Sequence, residues 1–243
     1  MLLIKKGKEP KSLTRYRSQK GPGISKPCYD NAPAEVKNDI RKALLRDQGC
    51  LCAYCMRSIS IDSMKIEHVR PRSVDYQAGN PAGTLDYARN LLGVCDEKKY
   101  ARQDGEMLGS EYFTCDAKKD QGIDPEHYTP LTVDPTNPNH IDSIDYRTAS
   151  GEIVSRDPQI NQELNERLNL NCEKQNLPQN RHDAWLALKN KLIKEMGNGD
   201  WSRAKLKKFL ENYSAVDSEG KRRPYAGILI WYIKKQMKHA RRP

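Results

Sequence analysis

The sequence predicts an α+β fold: a short ββα unit stapled by cysteines, preceded by a basic arm with one helix and followed by a mainly helical region. Apolar residues recur at helical spacing over residues 33–49 and over much of the chain after residue 157. A short segment ending at residue 68 and the apolar run at residues 91–94 are interpreted as strands. Cysteines bracket both runs. The predicted regions are residues 1–49, 50–122 and 123–243.

Size and charge limit the class of protein. A chain of 243 residues with 37% hydrophobic content is long enough for one large domain or two small ones, so we expect it to be globular. The net charge is +10, but residues 1–26 contribute +7 and residues 201–243 contribute +9, which leaves the middle acidic. Basic ends around an acidic centre favour polyanion-binding flanks and a cation-binding core. Basic termini that only aid solubility are the alternative.

The sequence also indicates a compartment. Met1–Ile4 runs directly into two lysines, without the apolar region of a signal peptide. The longest apolar run, Tyr225–Ile233, is far shorter than the ~20 residues of a membrane span. We therefore expect a soluble, cytoplasmic protein without membrane contact. In a reducing compartment, seven cysteines are more typical of metal binding than of disulfides.

Residues 1–49 predict a surface arm and one helix. The first 30 residues are rich in Lys, Pro, Gly and Ser and show no apolar period beyond residues 2–4, where one short strand is conceivable. Pro33 suits the start of a helix, Val36, Ile40 and Leu44 form its apolar stripe, and Gly49 suits its end.

Residues 50–122 predict the ββα unit. A turn with two cysteines leads into a strand that ends at Glu67-His68, and residues 74–89 predict a loop because they contain Gly-Asn-Pro and further Gly. Residues 91–94 predict the return strand. A polar insertion follows, and the last element is a helix from Cys115 to Lys119.

Residues 123–243 predict an irregular connector rich in Pro and Asn, then a hairpin over residues 144–147 and 152–154. Asp157-Pro158 is typical of a helix start. A longer helix is expected to end at Gly197, Asp200 is a candidate cap for the next helix, and a last helix begins at about Pro224.

Four cysteines are candidate metal ligands. Cys52 and Cys55 have the spacing by which one tight turn presents two thiolates to one ion, and Cys95 with Cys115 is the candidate second pair. Four thiolates close a tetrahedron around Zn²⁺ and leave no open position, so this zinc would be structural. Buried free cysteines are the alternative, and this is the interpretation for the remaining three, Cys28, Cys50 and Cys172.

A Glu-His pair is the candidate reactive element. Adjacent residues of a strand point to opposite faces, so Glu67 can face a metal while His68 faces a reacting water. Imidazole has a pKa suited to a general base near neutral pH. Glu67 and Asp116 offer hard oxygen ligands for Mg²⁺ or Mn²⁺. Asn90 is positioned to bridge the two strands and orient His68.

Three cations are candidate phosphate contacts. Arg70 and Arg72 follow the Glu-His pair directly, and Lys119 lies one helical turn after Asp116. Taken singly, Asp116 is more typical of a helix cap and Asn90 of a loop residue. The ordered set favours a functional interpretation.

This ordered set is Cys-x-x-Cys, Glu-His-x-x-Pro-x-Ser, Asn-Leu, Cys and Cys-Asp-x-x-Lys, over about residues 50–120, and it resembles the HNH endonuclease superfamily with its zinc-stapled ββα-metal core. The resemblance implies that His68 is the general base, that Glu67 and Asp116 bind the catalytic cation, and that Asn90 is the orienting residue. The chain departs from the wider pattern in two ways. Asp116 replaces a frequent His, and nineteen residues separate Cys95 from Cys115 where two are usual.

A narrower resemblance concerns anti-phage defence. The segments Cys52–Cys55, Ile66–His68, Asn90–Leu92 and Leu168–Asn171 are similar to the HNH subunit of Septu-type systems. This resemblance implies a nuclease that acts on DNA or structured RNA such as tRNA, together with an ABC-type ATPase. In some retron cassettes it also implies a reverse transcriptase with its RNA–DNA product. The alternative is a non-catalytic, zinc-stabilised nucleic-acid-binding or adaptor module.

Overall fold

A computed structural model of the chain describes residues 1–19, 26–96, 102–103, 106–107, 109–119, 121, 124–198 and 201–240. Helices are combined with three two-stranded antiparallel sheets over these residues, so the α+β class is confirmed. No helix in the described ranges combines the length and the apolar character that crossing a bilayer requires.

The N-terminal segment is more deeply packed than the sequence predicts. It contains helix α1 (Lys11–Arg17), whose Leu13 and Tyr16 are buried, and Met1 and Ile4 are buried as well. The amide of Ile4 donates to the carbonyl of Pro135 at 2.8 Å, which ties the segment to the C-terminal half. The predicted arm is thus anchored to the core by four buried residues, and it contains a short helix and not the short strand expected near residues 2–4, because its apolar residues are too sparse to show a period.

Helix α2 (Ala34–Gln48) confirms the prediction for residues 33–49. Its apolar stripe is buried, Pro33 precedes its first turn, and Gly49 ends it with a left-handed φ of 62°. Gln48, the last residue of α2, contacts the central sheet. Its side-chain amide donates to the carbonyl of Gly93 and accepts from the amide of Gly93, both at 2.7 Å.

The central sheet has two antiparallel strands, β1 (Met64–His68) and β2 (Leu91–Cys95). The register pairs Met64 with Cys95 and His68 with Leu91. Every residue of β2 is buried, because α2 and helix α4 (Cys115–Lys119) both pack against it. Strand, return strand and helix therefore occur in the predicted order.

The connection between β1 and β2 is more regular than predicted. It holds helix α3 (Arg72–Gln77) and a 3₁₀ turn (Pro81–Leu85) where the sequence predicted a loop over residues 74–89. Both elements are too short to show an apolar period. The polar insertion after β2 contains strands β3 (Arg102–Gln103) and β4 (Glu106–Met107), and the rest of it from residue 97 to 108 lies outside the described residues.

The C-terminal region is mainly helical, as predicted. A hairpin of β5 (Ile144–Tyr146) and β6 (Ile153–Ser155) confirms the predicted pair of strands. The helices are α5 (Pro138–Asp142), α6 (Pro158–Gln162) followed by a π turn (Glu163–Arg167), α7 (Leu177–Met196), α8 (Arg203–Ser214) and α9 (Ala226–His239).

Two predicted helix ends can be compared directly. The Asp157 carboxylate accepts from two amides of the first turn of α6, so this cap is confirmed, and Gly197 ends α7. The amide of Lys205 donates to the Ser202 hydroxyl at the start of α8, and Asp200, the predicted cap, lies outside the described residues.

A buried arginine joins α7 to the hairpin. The guanidinium of Arg181 donates to the carbonyl of Gly151 at 2.6 Å and to the carbonyl of Leu170 at 2.9 Å. Gly151 has a φ of 73°, and a Cβ there would lie 2.0 Å from the carbonyl oxygen of Pro178. Only glycine therefore allows the hairpin turn to approach the first turn of α7 so closely.

Candidate functional site

The four predicted cysteines form one buried cluster. The sulfurs of Cys52 and Cys115 are 3.7 Å apart, and Cys95 is 3.8 Å from both Cys55 and Cys115. All four sulfurs lie within 4.8 Å of one another. Metal–sulfur bonds of about 2.3 Å in a tetrahedron place sulfurs about 3.8 Å apart, whereas a disulfide needs about 2 Å. The donor set and its spacing therefore fit a zinc ion, which these four side chains could hold.

The local backbone explains how distant cysteines meet. The amide of Ala53 donates to the carbonyl of Gly93 at 3.0 Å, which fixes the Cys-x-x-Cys turn on β2. Cys95 is the last residue of β2, and Cys115 has a left-handed φ of 52° as it begins α4. The amide of Cys115 also donates to the carbonyl of Leu168 at 2.8 Å. The nineteen-residue insertion therefore leaves and returns at the cluster, and its length does not prevent closure.

The pKa values of the cysteine thiols differ within the cluster. Burial opposes a thiolate at Cys52, but hydrogen bonds with the sulfurs of Cys115, Cys55 and Cys95 hold its pKa well below the ordinary value. A thiolate is the form that binds zinc. Hydrogen bonds with the other sulfurs raise the pKa of Cys95 well above the ordinary value, and burial does the same for Cys115, so four thiolates together need the charge of a bound cation.

A groove of about 700 Å³ lies beside this cluster. It is lined by four of the predicted site residues, Glu67, His68, Arg72 and Asp116. Tyr29 and Asp30, from the segment before α2, line the same groove. Four acidic residues, one histidine and two arginines thus line one solvent-accessible space.

His68 is held in one orientation. Its Nε2 lies 3.1 Å from the carbonyl oxygen of Thr84, and because a carbonyl can only accept, Nε2 carries the proton and Nδ1 the lone pair. The side chain is 8% exposed, and burial, with Arg72 nearby, lowers its pKa to about 4. The imidazole is therefore neutral near pH 7, which is the state in which it can accept a proton.

Asn90 bridges the end of β1 to the loop that orients His68. Its Oδ1 accepts from the amide of Arg70 at 2.7 Å, and its Nδ2 donates to the carbonyl of Gly83 at 3.0 Å and to Asp75 at 3.3 Å. Gly83 precedes Thr84 directly. The amide side chain thus links the residues after β1 to the loop that carries Thr84, and these hydrogen bonds do not include the His68 ring.

The Glu67 carboxylate is held from two sides. Its Oε1 lies 2.5 Å from Nζ of Lys119 and accepts from the Tyr54 hydroxyl at 3.2 Å. The Lys119 ammonium also donates to the carbonyl of His68 at 3.0 Å. Tyr54 lies in the Cys-x-x-Cys turn and Lys119 in the helix that begins at Cys115. The two chain segments that carry Cys52–Cys55 and Cys115 therefore each provide a side chain that contacts the Glu67 carboxylate.

This position of Lys119 differs from the predicted phosphate contact. Its side chain is 0% exposed and pairs with a carboxylate that is 1% exposed. A buried carboxylate without a cation would carry a large desolvation cost, so the ammonium stays inside. Arg70, by contrast, is 46% exposed and pairs with Asp75 at 3.0 Å.

Asp116 completes the carboxylate pair. It follows Cys115 directly on α4, is partly buried, and lines the groove together with Glu67. Carboxylate oxygens are the donors that Mg²⁺ and Mn²⁺ prefer. The residues present therefore fit a hard divalent cation at this end of the groove.

Arg72 is occupied by an acidic residue of the N-terminal segment. Its guanidinium forms a close ion pair with Asp30, and the Tyr76 hydroxyl donates to the same carboxylate at 2.5 Å. The hydrogen bond from Tyr76, together with Arg72, holds the pKa of Asp30 below its usual value. A carboxylate thus stands where a phosphate would be expected.

Five residues of this arrangement were missed by the sequence interpretation: Tyr29, Asp30, Tyr54, Asp75 and Thr84. Tyr54 carried a usable signal, because a residue inside a metal-binding turn must lie near the elements that the metal joins. Tyr29, Asp30 and Thr84 carried none, since they belong to segments whose approach to His68 depends on tertiary packing.

The fold and site define an α+β protein with a candidate zinc cluster beside a groove that contains a histidine and two carboxylates. No family model matches the chain. The chain is 25% identical over 140 residues to a protein of Vibrio cholerae serotype O1 biovar El Tor described as "Retron Vc95 putative HNH endonuclease". The match covers 57% of this chain and 58% of that protein. The predicted resemblance to HNH endonucleases, here to one whose description names a retron, is thereby confirmed, and it supports a nuclease at the family level.

Proposed function

We propose that the chain is a metal-dependent HNH endonuclease that hydrolyses phosphodiester bonds through a ββα-metal core. The observation that carries the proposal is the single groove lined by a neutral, oriented His68 together with Glu67 and Asp116. The similarity to an HNH protein supports the same reaction class.

His68 acts as the general base. Thr84 holds Nε2, so Nδ1 is the atom that takes a proton from a water molecule in the groove. A positioned base of this kind contributes about 10²–10⁴ in rate. Asn90 keeps the Thr84 loop at the end of β1, and it therefore acts as a positioning residue.

Glu67 and Asp116 hold the catalytic Mg²⁺ or Mn²⁺. When bound, this cation neutralises a phosphate oxygen and stabilises the leaving oxygen. Tyr54 and Lys119 keep the Glu67 carboxylate in place. The four cysteines hold a structural zinc ion, which joins the turn before β1, the end of β2 and the start of α4.

Nucleic acid enters along the exposed cations. Arg70 and Arg72 contact phosphates beside the scissile bond, and the basic ends of the chain extend the contact. Contacts of this kind read the backbone and not the bases, so both DNA and structured RNA such as tRNA are substrate candidates. Any sequence preference comes from another part of the complex.

The chain acts in the cytoplasm as the toxic subunit of an anti-phage defence complex with an ABC-type ATPase. Similarity to a protein whose name includes a retron supports a further association with a reverse transcriptase and its RNA–DNA hybrid. A partner restrains the nuclease, since free activity would damage the host.

The test is cleavage of plasmid DNA and of tRNA with Mg²⁺ or Mn²⁺, by the chain alone and with the proposed ABC-type ATPase partner. His68→Ala is expected to abolish cleavage, because no other imidazole lines the groove among the described residues. His127→Ala is the matched control, since His127 is exposed and pairs only locally with Asp124. Equal cleavage by His68→Ala and the unmodified chain would refute the assignment.

One observation favours the alternative, a non-catalytic nucleic-acid-binding or adaptor module. The Glu67 carboxylate already has an ammonium partner at 2.5 Å, which competes with a divalent cation. Tight nucleic-acid binding without cleavage, under every partner and metal combination, would support this alternative.

A further inference from the structure

We propose that Tyr29 is a positioning residue for His68, so that a residue from the N-terminal segment completes the active site of the ββα unit. This inference rests on the proposed role of His68 as the base. Tyr29 lies before α2, outside residues 50–122, and neither the motif nor the similarity to HNH proteins assigns it a role.

The first support is direct contact between the rings. The ring centroids of Tyr29 and His68 are 4.6 Å apart with an interplanar angle of 80°, which is an edge-to-face arrangement. The Tyr29 ring is itself held by two cations. Nζ of Lys37 lies 5.1 Å and Cζ of Arg72 lies 5.5 Å from its centroid. The phenol ring is therefore a fixed wall of the imidazole site.

The second support is a backbone link to the acceptor of His68. The amide of Tyr29 donates to Oγ1 of Thr84 at 2.9 Å, and this hydroxyl donates to the carbonyl of Pro81 at 2.6 Å. The carbonyl oxygen of the same Thr84 accepts the hydrogen bond from Nε2 of His68. One residue thus provides the packing for the imidazole and anchors the loop that binds its Nε2.

The consequence concerns which nitrogen faces the groove. The second side-chain torsion of histidine is broad and roughly two-fold, so packing must select between two ring orientations. Rotation by about 180° would break the Thr84 bond and exchange the positions of Nδ1 and Cδ2. The Tyr29 wall opposes that rotation. We expect its loss to change the ratio of ring orientations by about two- to tenfold, the range typical of one aromatic contact.

The experiment is a long-range ¹H–¹⁵N correlation spectrum of the histidine side chains in the full, zinc-loaded chain. His68→Ala assigns the His68 signals. The unmodified chain and Tyr29→Phe are expected to show a single tautomer with the proton on Nε2, because the ring and the backbone amide remain. Tyr29→Leu is expected to show signals averaged between the two tautomers.

The matched control is Tyr112→Leu, because Tyr112 is also half-buried and contacts a lysine but not His68. A wild-type His68 spectrum in a folded Tyr29→Leu variant would overturn the proposal. If that variant does not fold, Thr84→Val removes the hydroxyl bonded to Tyr29 and is expected to shift the same signals. Unchanged signals in Thr84→Val would then overturn it.

A kinetic measurement separates this inference from the proposed function. Tyr29→Leu is expected to lower kcat with little change in KM, and Tyr29→Phe to retain kcat. A shifted spectrum in a protein that never cleaves would uphold the positioning role and refute the nuclease assignment. Cleavage with an unchanged spectrum would do the reverse.

Discussion

The buried Lys119–Glu67 pair provides the sharpest test of the site. Lys119→Met removes the ammonium and keeps most of the side-chain volume, which leaves the Glu67 carboxylate buried without this cation. Breaking a buried pair in this way costs about 3–5 kcal/mol. For a chain of this size, a cost of 1 kcal/mol lowers Tm by about 2–4 °C. We therefore expect Tm to fall by about 6–20 °C.

The second variant isolates the charge. Glu67→Gln in the Lys119→Met background replaces the isolated carboxylate with a neutral amide of similar shape, so much of the lost stability should return. A double-mutant cycle then gives the coupling between the two residues. Stability is measured by calorimetry and guanidinium unfolding without added divalent cation, and zinc content is measured for each variant. Lys118→Met, on the same short helix, is the control.

The result that refutes this reasoning is equally specific. If Lys119→Met lowers the free energy of unfolding by less than about 1 kcal/mol, as an ordinary surface substitution does, the ammonium is not buried against Glu67. A Glu67→Gln change that adds to the loss, instead of relieving it, would show that the two side chains are not coupled through charge.

Three further predictions follow from the same contacts. Cys95→Ser should lose about one zinc ion per chain by direct metal analysis, whereas Cys50→Ser, outside the cluster, should retain it. Asp30→Asn should tighten binding of duplex DNA about two- to fivefold at low salt without divalent cation, because it frees Arg72 from its carboxylate partner. Glu152→Gln, which frees the exposed Arg147 in the same way, should leave the affinity unchanged. Burial lowers the pKa of Lys6 to about 8 from an unfolded value of 10.5, so the folded state loses this proton first. Stability relative to Lys6→Met should therefore rise by about 2–3 kcal/mol from pH 8 to pH 10.5 in urea titrations, and a flat difference would contradict the burial.

Local pattern accounts for much of the fold. Helix α2, the strands ending at His68 and beginning at Leu91, and the cap at Asp157 were all predictable, because period, cap chemistry and turn residues are properties of neighbouring residues. Helix α3 and the packing of the N-terminal segment were not. Elements of one or two turns carry no period, and isolated apolar residues do not reveal where they are buried.

In the candidate site, too, local sequence was enough for some features and tertiary packing decided others. Residue types and spacing singled out four cysteines that the structure brings into one cluster, and Glu67, His68 and Asp116, which line one groove, because candidate thiolate, carboxylate and imidazole chemistry depends on side-chain identity. The position of Lys119 required the structure. Whether a cation one turn along a helix faces solvent or a buried carboxylate depends on how α4 lies on β2.

The sequence by itself determined which side chains this protein offers for chemistry: four thiols, an imidazole and two carboxylates in a fixed order. Only the tertiary structure decided which contacts fix these side chains in place. Tyr54 and Lys119 bind Glu67 from the two sides of the cysteine cluster, and Tyr29 and Thr84 orient His68. These contacts join segments far apart in the chain, and their energies depend on burial and distance, which no local pattern encodes.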